Sequence, residues 1–391
     1  MPPTTTVPAS TSGSPCGPGP DLDLDTLVDA TPASRDRTVD AVRALAIVVV
    51  VLWHWVFSIT HVDTGGALSM PNPVGDLRLA WAATWVLQVM PVFFVVGGFA
   101  NLASWEALER RGRGTWGAFA RARTARLGRP IGAFVALWAV GDTVARAALG
   151  VPSVLEWGMV VFVPLWFLGA YTAVLLLTPL TVRAHRAGPA ATLGALIAGI
   201  AGFDGLRFAT GNDRWGLVTT ALVWVFAHQL GYLWRDGTLT GWGRRASLGL
   251  VAGGLTALGA LTTFGPYSSS MVAVRGEEIS NMFPTTAPIA ALAVLQTGLV
   301  LLARPAAERW LARRGPWRAV VAVNAVAMTV FAWHMTALVA VIGAAAAAGL
   351  TLPSEATATW WALRPLWLVL PGLVLAALIA AFARFELPGR R

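Results

Sequence analysis

Ten apolar runs divide this chain, and although the fifth is short, we predict that all ten cross the hydrocarbon layer of a membrane as helices. Such a helix needs about 20 apolar residues, because it rises about 1.5 Å per residue through a layer about 30 Å thick. Of the 391 residues, 56% are hydrophobic and only 13% are charged, about half the charge of a typical soluble domain. We therefore predict an all-α integral membrane protein, multi-pass in the cell membrane, with about ten transmembrane helices. Their approximate bounds are 40–60, 80–103, 131–150, 159–182, 190–206, 215–234, 247–265, 287–303, 319–347 and 366–385.

All 29 basic residues are arginines, and their placement predicts the orientation of the helices. Basic residues concentrate in cytoplasmic loops. Twenty arginines lie in alternate connections or at the C-terminal end, in the segments 110–129, 183–186, 235–245, 304–318 and 384–391. Only five lie in the other connections, namely Arg78, Arg207, Arg214, Arg275 and Arg364. This asymmetry predicts cytoplasmic N- and C-termini. It also explains the basic net charge through topology and anionic lipid, so we reject nucleic acid as a partner.

The two ends of the chain lie outside the apolar runs. Residues 1–36 are rich in Pro, Ser, Thr and Gly and do not begin with a basic segment. They predict a disordered cytoplasmic tail without a cleaved signal peptide. The single cysteine, Cys16, lies in this tail, which rules out an intramolecular disulfide and argues against thiolate catalysis. The membrane domain is predicted to occupy residues 37–386, followed by a short cytoplasmic tail at 387–391.

Arg43 and His54 stand eleven residues apart on the first apolar run. Eleven helical steps return the chain to within about 20° of the starting face and separate the two residues by roughly 16 Å. With Arg43 at a membrane surface, His54 lies near the middle of the bilayer on the same stripe of the helix. Imidazole accepts a proton near neutral pH, so His54 is a candidate general base. The alternatives are a structural histidine that bonds a neighbouring helix and an arginine that only anchors the span.

A second basic group precedes the third apolar run. Arg123, Arg126 and Arg129 are spaced three residues apart in a predicted loop, which places them on one side of any helix that forms there. Guanidinium forks in this arrangement suit the phosphates of a cytoplasmic nucleotide such as coenzyme A. An ordinary cluster of cytoplasmic arginines explains the charge equally well. No Gly-rich phosphate loop competes for the nucleotide role.

Several motifs, taken in order, resemble those of the membrane acyltransferase 3 family. Its first helix bears an Arg-x10-His pattern, which Arg43 and His54 match. Its second helix usually ends in Phe-Phe-x-x-Ser-Gly-Phe, and the segment MPVFFVVGGF supplies Phe93 and Phe94. Gly97 stands where the serine is usual, so any role of that hydroxyl is absent or moved.

The resemblance continues through the rest of the chain. The family's Arg-x-x-Arg element is matched by Arg123 and Arg126, or in the alternative register by Arg126 and Arg129. The later segments PLWFLGAY, VFAHQLGYLW and MTVFAWHM resemble its later helices. The similarity extends over about residues 35–385 and identifies residues 37–386 as a ten-helix domain of the acyltransferase 3 type.

This resemblance implies transfer of an acyl group, usually acetyl, from cytoplasmic acyl-CoA. The acyl-CoA is a donor substrate, and no permanently bound cofactor is implied. The acceptor would be a hydroxyl or amine of an extracytoplasmic or envelope molecule, often a sugar or another polyol. His54 would act as general base or as acyl-carrying nucleophile, and Arg43 would fix the donor or polarise the site. Arg123, Arg126 and Arg129 would bind the acyl-CoA.

Other polar residues within the apolar runs are supporting candidates, together with Phe93 and Phe94. Asp142 has Arg146 one turn away, which favours an intrahelical ion pair, with orientation of the His54 ring as the alternative. His334 in the ninth run is a candidate for the acceptor side, although a packed structural histidine is at least as common.

The most polar connections on the predicted outer side are residues 204–215 and 266–284. They offer carboxylates and amides to a polyol acceptor, from Asp204, Asn212, Asp213, Glu277, Glu278 and Asn281. Alternatively, these connections are ordinary polar loops that have no role in binding the acceptor.

No ligand-spaced group of His, Cys and carboxylate residues suggests a metal, and no Gly-x-Ser-x-Gly elbow suggests a soluble hydrolase. The main alternative to an acyltransferase is a proton-coupled secondary transporter or exporter, with His54, Asp142 and His334 as a proton relay. A non-catalytic scaffold is a third hypothesis, and the pair of Arg43 and His54 argues against it.

Overall fold

The structure, a computed structural model, describes residues 24–32, 34–62, 67–150 and 153–386. Two short antiparallel strands, β1 (His61–Val62) and β2 (Leu68–Ser69), form a hairpin. Two 3₁₀ turns lie at Met159–Phe162 and Ala383–Phe385. The α-helices are α1 (Leu24–Asp29), α2 (Arg37–Val56), α3 (Ala80–Leu87), α4 (Met90–Arg110), α5 (Trp116–Leu149), α6 (Val154–Gly158), α7 (Leu165–Leu176), α8 (Thr178–Ala187), α9 (Pro189–Thr210), α10 (Arg214–Arg235), α11 (Thr238–Gly241), α12 (Gly243–Phe264), α13 (Ala287–Leu311), α14 (Arg314–Ala325), α15 (Ala327–Ala347), α16 (Ala358–Ala362) and α17 (Arg364–Phe382).

The predicted all-α membrane architecture is confirmed. Among the described residues, nine helical stretches are long and apolar enough to span a membrane. A further pair, Val154–Phe162 and Leu165–Leu176, is bent by 48° and supplies a tenth crossing if the two halves form one span. All ten predicted runs coincide with these stretches. The protein is therefore a multi-pass membrane protein.

Several helix boundaries differ from the prediction. The second run is divided between α3 and α4, and the first helix ends at Val56. The segment carrying Arg123 and Arg129 is no loop, because α5 runs without a break from Trp116 through Pro130 to Leu149. The fourth run is broken between Phe162 and Leu165. The ninth run is divided between α14 and α15 at Val326, whose φ of −119° and ψ of 19° are not helical.

Helices α4, α10 and α13 form the centre of the bundle. About two thirds of the span in α4 and in α10 is buried, whereas only 11% of the spans in α5 and α9 is buried. These outer helices expose apolar side chains, and such a surface is suited to contact with the hydrocarbon layer of a membrane. At the centre, α4 and α10 touch through Gly98 and Gly231. A Cβ at Gly98 would lie 2.1 Å from the His228 carbonyl oxygen, so only glycine allows this approach.

The bundle has two unlike faces. We call the one where α2 begins the basic face, because arginines of the predicted cytoplasmic segments gather there. Arg186 pairs with Glu109, and Arg235 pairs with Glu106, at 2.7 and 3.0 Å. We call the one where α2 ends the hairpin face, after β1 and β2. These pairs join the ends of α4, α8 and α10, so the segments 183–186 and 235–245 lie beside the one that begins at Arg110.

Part of the predicted N-terminal tail is helical. Helix α1 packs on α14 through Val28 and Trp317, and Arg314 binds both Asp25 and Asp29. Residues 1–23 of the predicted tail, including Cys16, and the predicted C-terminal tail at 387–391 lie outside the described residues.

Candidate active site

His54 and His334 face each other across the interface of α2 and α15. The His334 Nε2 atom lies 3.2 Å from His54 Nδ1. His54 Nδ1 is also 2.8 Å from the Val50 carbonyl oxygen, and His334 Nδ1 is 2.7 Å from the Phe331 carbonyl oxygen. A carbonyl oxygen only accepts hydrogen bonds, so both neutral rings carry their proton on Nδ1. The His334 Nε2 lone pair is then an acceptor for the His54 Nδ1–H.

This arrangement leaves His54 Nε2 with a lone pair. The atom makes no hydrogen bond to any residue that the structure describes. His54 lines a cavity of about 640 Å³ on the hairpin face, which we call the His54 cavity. The ring is thus oriented by one nitrogen and has the other available to a ligand, which is the arrangement of a histidine base with a supporting group.

A second cavity, of about 130 Å³, lies nearer the basic face and is lined by Arg43 and Arg123. We call it the Arg43 cavity. Arg43 forms an ion pair of 3.1 Å with Asp40 one turn earlier on α2. Asp40 is buried and also binds Arg35, and its hydrogen bond raises the pKa of that arginine. Asn324 completes this group by donating to the Asp40 carbonyl oxygen at 2.9 Å.

Arg123 is held by a residue that the sequence did not single out. Its guanidinium donates to the side-chain oxygen of Asn101, a fully buried residue of α4. The Asn101 amide nitrogen in turn donates to His228 Nε2 at 3.0 Å. Asn101 therefore fixes Arg123 toward the cavity and orients His228. The one signal in the sequence was an amide within an apolar run.

The other arginines of the predicted donor site lie differently. Arg129 is exposed and is not among the residues that line the Arg43 cavity. The position of the Arg126 side chain is outside what the structure describes. Among the predicted cationic ligands whose side chains the structure describes, the cavity thus brings Arg43 together with Arg123 and not with Arg129.

Asp142 does not contact the histidine pair. Its carboxylate accepts from Ser153 Oγ at 2.9 Å and from the Leu155 backbone N–H at 3.1 Å, at the start of α6. The predicted pair with Arg146 is present at 3.9 Å. Asp142 therefore caps a helix. The residue that lies beside His54 is His334, so the alternative role of Asp142, orientation of the His54 ring, is not supported.

Three phenylalanine rings line the Arg43 cavity, and one of them, Phe331, lies 6.1 Å from the His334 ring between centroids. Phe93, Phe167 and Phe331 all line the Arg43 cavity, and Phe167 lies 5.0 Å from Phe93 and 5.6 Å from Phe331, measured between ring centroids. The preceding residue of α7, Trp166, lines the His54 cavity, and the two cavities share no lining residue. Phe94, by contrast, is fully buried and stacks on Trp224, so it belongs to the bundle core.

Two further residues at the Arg43 cavity were not predicted. Tyr171 lies against Gly97, where a Cβ would be only 2.6 Å from Tyr171 Cε2. Glu386 accepts from the backbone N–H groups of Met328 and Thr329 and caps the start of α15. Neither contact could be read from the sequence, because each joins positions that lie far apart in the chain.

The polar connections predicted to offer groups to the acceptor form their own structure and do not line the His54 cavity. Asp204 accepts from the Tyr267 hydroxyl and from the Ala287 N–H. Burial and the neighbouring Asp204 carboxylate raise the pKa of Tyr267. Asp213 pairs with Arg207. These groups hold the 265–286 connection against the helices.

Comparison with known proteins gives one match. A family model for the acyltransferase 3 group, described as an acyltransferase domain, matches residues 36–384, which is nearly the whole chain. No curated protein and no solved structure matches. On the extent of the family match, this chain belongs to the acyltransferase 3 family of membrane acyltransferases.

Proposed function

We propose that the protein transfers an acyl group, with acetyl as the first candidate, from cytoplasmic acyl-CoA to a hydroxyl or amine of an extracytoplasmic acceptor such as a carbohydrate. The observation that carries the proposal is the pair of cavities. One is lined by two guanidinium groups near the basic face, and the other is lined by His54 near the hairpin face.

The Arg43 cavity suits the donor. Arg43 and Arg123 provide positive charge for an anionic nucleotide thioester. The one described carboxylate in the lining, Glu386, is bound to the backbone N–H groups of Met328 and Thr329, and the other residues are largely aromatic and aliphatic. Along α2, Arg43 and His54 are separated by roughly 16 Å. The thioester therefore has to extend beyond the Arg43 cavity, past the Phe331 ring that lies 6.1 Å from His334, to reach His54.

The His54 cavity suits the acceptor. In the proposed reaction, His54 Nε2 removes the proton of the acceptor hydroxyl, and the oxygen attacks the thioester carbonyl carbon. The carbon–sulfur bond breaks, and the proton on Nε2 passes to the departing thiolate. His334 stabilises the transient imidazolium because its Nε2 atom accepts a hydrogen bond from the His54 Nδ1–H group. An acyl-imidazole at Nε2 is the second route, and mass spectrometry of protein incubated with acetyl-CoA alone distinguishes it.

The catalytic assignment is tested by measuring thiol release from acetyl-CoA, in lipid nanodiscs, with a library of hydroxyl and amine acceptors. We expect His54→Ala to lower kcat by on the order of 100- to 10,000-fold, the usual contribution of a general base. His61→Ala is the matched control, because His61 lies on β1 and does not line the cavity. Full turnover by His54→Ala would contradict the assignment.

The donor site has a separate test. Arg43→Ala and Arg123→Ala are each expected to weaken acetyl-CoA binding at least tenfold in calorimetric titration, since each removes one charge-assisted contact. Arg146→Ala on α5 is the control, because Arg146 pairs with Asp142 and does not line the Arg43 cavity. Unchanged affinity in the Arg43 and Arg123 variants would refute the donor site.

The same titration separates an enzyme from a proton-coupled transporter, which has no need to bind coenzyme A. A relay through the membrane would also require Asp142 to meet the histidines. The contacts of Asp142 with Ser153 and Leu155 favour the enzyme.

A further inference from the structure

We propose that the acceptor is a neutral molecule that carries an apolar body beside its reacting hydroxyl, and that it binds in the His54 cavity. This inference rests on the proposed function and adds to it the chemical class of the acceptor. Three features of the cavity lead to it: the charge, the polar groups and the shape of its lining.

The first feature is charge. Among its described lining residues there is no Asp, Glu or Arg, and His54 is the one titratable group. Arg364 lies close by, but it is bound to the carbonyl oxygens of Val56 and Ser58 and does not line the cavity. A carboxylate or phosphate on the acceptor would lose its hydration in this cavity without gaining a cationic partner, which is costly.

The second feature is the small number of available polar groups. Asn72 donates to the Ala273 carbonyl oxygen and accepts from the Val74 N–H, and Ser69 donates to the His61 carbonyl oxygen. The Ser58 hydroxyl and His54 Nε2 have no hydrogen bond to any residue in the described part of the chain, whereas Asn72 and Ser69 are each partly engaged and keep spare hydrogen-bonding capacity. These few groups can hold the reacting hydroxyl and its neighbour, whereas a polyol without an apolar body would leave many of its hydroxyls unpaired.

The third feature is the apolar lining. Trp53 and Phe57 are stacked at 4.8 Å, and Trp166 presents a further aromatic ring. The flexible thioethers of Met70, Met159 and Met335 also line the cavity. A volume of about 640 Å³ lies within the usual range of small-molecule sites, roughly 300–1,000 Å³, which are lined mainly by apolar and aromatic side chains.

Three matched acceptors test the inference. Phenyl β-D-glucopyranoside and methyl β-D-glucopyranoside share a neutral sugar and differ in the apolar body, whereas in phenyl β-D-glucuronide a carboxylate replaces the C6 hydroxymethyl group, so the ring hydroxyls are the acceptors that the three compounds share. With acetyl-CoA and protein in nanodiscs, we expect kcat/KM for the phenyl glucoside to exceed those of both other compounds at least tenfold. Equal values, or a preference for the glucuronide, would overturn the inference.

Binding is measured in parallel, so that failure of the proposed function is recognised separately. Quenching of tryptophan fluorescence in His54→Ala reports acceptor binding without turnover. Preferential binding of the phenyl glucoside supports the inference even if no thiol is released from acetyl-CoA, a result that would count against the proposed function alone. Absence of binding of the phenyl glucoside at millimolar concentration, or equal binding of all three compounds, overturns the inference.

A charge placed in the lining provides a second, independent result. Met159→Arg introduces a cation into the cavity, and we expect it to improve kcat/KM and affinity for the glucuronide at least tenfold relative to the phenyl glucoside. Val62→Arg is the control, because Val62 is exposed on β1 and does not line the cavity. Loss of the phenyl glucoside preference in the control, or no change in Met159→Arg, would contradict the assigned cavity.

Discussion

At the scale of single residues, His334 helps to orient His54. The His54 Nδ1–H is shared between the Val50 carbonyl oxygen at 2.8 Å and the His334 Nε2 lone pair at 3.2 Å, and both acceptors hold the ring in the tautomer that leaves Nε2 basic. We expect His334→Ala to lower kcat by about 10- to 100-fold, the usual effect of losing an orienting partner, with little change in the KM for acetyl-CoA. His334→Gln retains an acceptor oxygen and should recover part of kcat. A rise in acetyl-CoA KM with kcat unchanged would place His334 at the donor instead.

Gly97 and Tyr171 form a second residue-scale pair. The ring of Tyr171 occupies the space beside Gly97, so the serine usual in the family at this position would place its Cβ 2.6 Å from Tyr171 Cε2. We expect Gly97→Ser to lower both the melting temperature and kcat/KM. The control is Gly132→Ser, where a Cβ would meet nothing within 4 Å.

The cause of that loss is tested by a double-mutant cycle. Tyr171→Ala removes the ring, so Gly97→Ser should cost less in the Tyr171→Ala background than in the wild type. Additive losses would show that the clash with Tyr171 is not the reason.

These two pairs show what could be predicted at this scale. Residue type and depth in the apolar run singled out His54 and His334 separately, because a titratable group within a membrane is costly. Their contact joins positions 280 residues apart, and no local pattern encodes it. Asn101 was missed for the same reason, since its partners Arg123 and His228 come from two other helices.

At the scale of elements, hydrophobic length predicted the spans well and their interruptions poorly. The residues on both sides of the 48° bend between Phe162 and Leu165 are apolar, so a hydropathy profile does not reveal the bend. The start of α15 is fixed by Glu386, which caps it from the other end of the domain. The third run was predicted to begin at residue 131, after a loop, yet α5 continues through Pro130, because other groups within a membrane protein can compensate for the single missing N–H.

Arg364 fixes the end of the helix that carries His54. Its guanidinium lies 3.3 and 3.4 Å from the Val56 and Ser58 carbonyl oxygens and 3.9 Å from the centre of the Trp360 ring. A cation at a helix C-terminus is stabilised by the exposed carbonyl groups. We expect Arg364→Ala to release the end of α2, lowering kcat at least tenfold while leaving acetyl-CoA affinity unchanged.

The control for this prediction is Arg207→Ala. Arg207 is also buried at the hairpin face but pairs with Asp213, away from α2. Both variants should lose similar thermal stability, and only Arg364→Ala should lose turnover. An equal loss of kcat in the two variants would reduce the role of Arg364 to general stability.

At the scale of the whole molecule, the two cavities divide the charge between two faces. The Arg43 cavity carries Arg43, Arg123 and Glu386, whereas the described lining of the His54 cavity carries no Asp, Glu or Arg. This division suits the proposed reaction, in which an anionic donor and a neutral acceptor approach from opposite sides of the membrane. Such a division is useful only if the protein has one orientation, with the basic face in the cytoplasm.

That orientation can be tested with the single cysteine of the chain. The excess of arginine on one set of connections predicts a cytoplasmic N-terminus, because basic loops are retained on the cytoplasmic side. Cys16 should then resist a membrane-impermeant maleimide in intact cells and react after lysis. A Cys16→Ser, Ser354→Cys variant moves the thiol to the exposed connection between α15 and α16 on the hairpin face, and it should react in intact cells. The reverse labelling pattern would place the Arg43 cavity outside, where cytoplasmic acyl-CoA cannot reach it, and would refute the proposed direction of transfer.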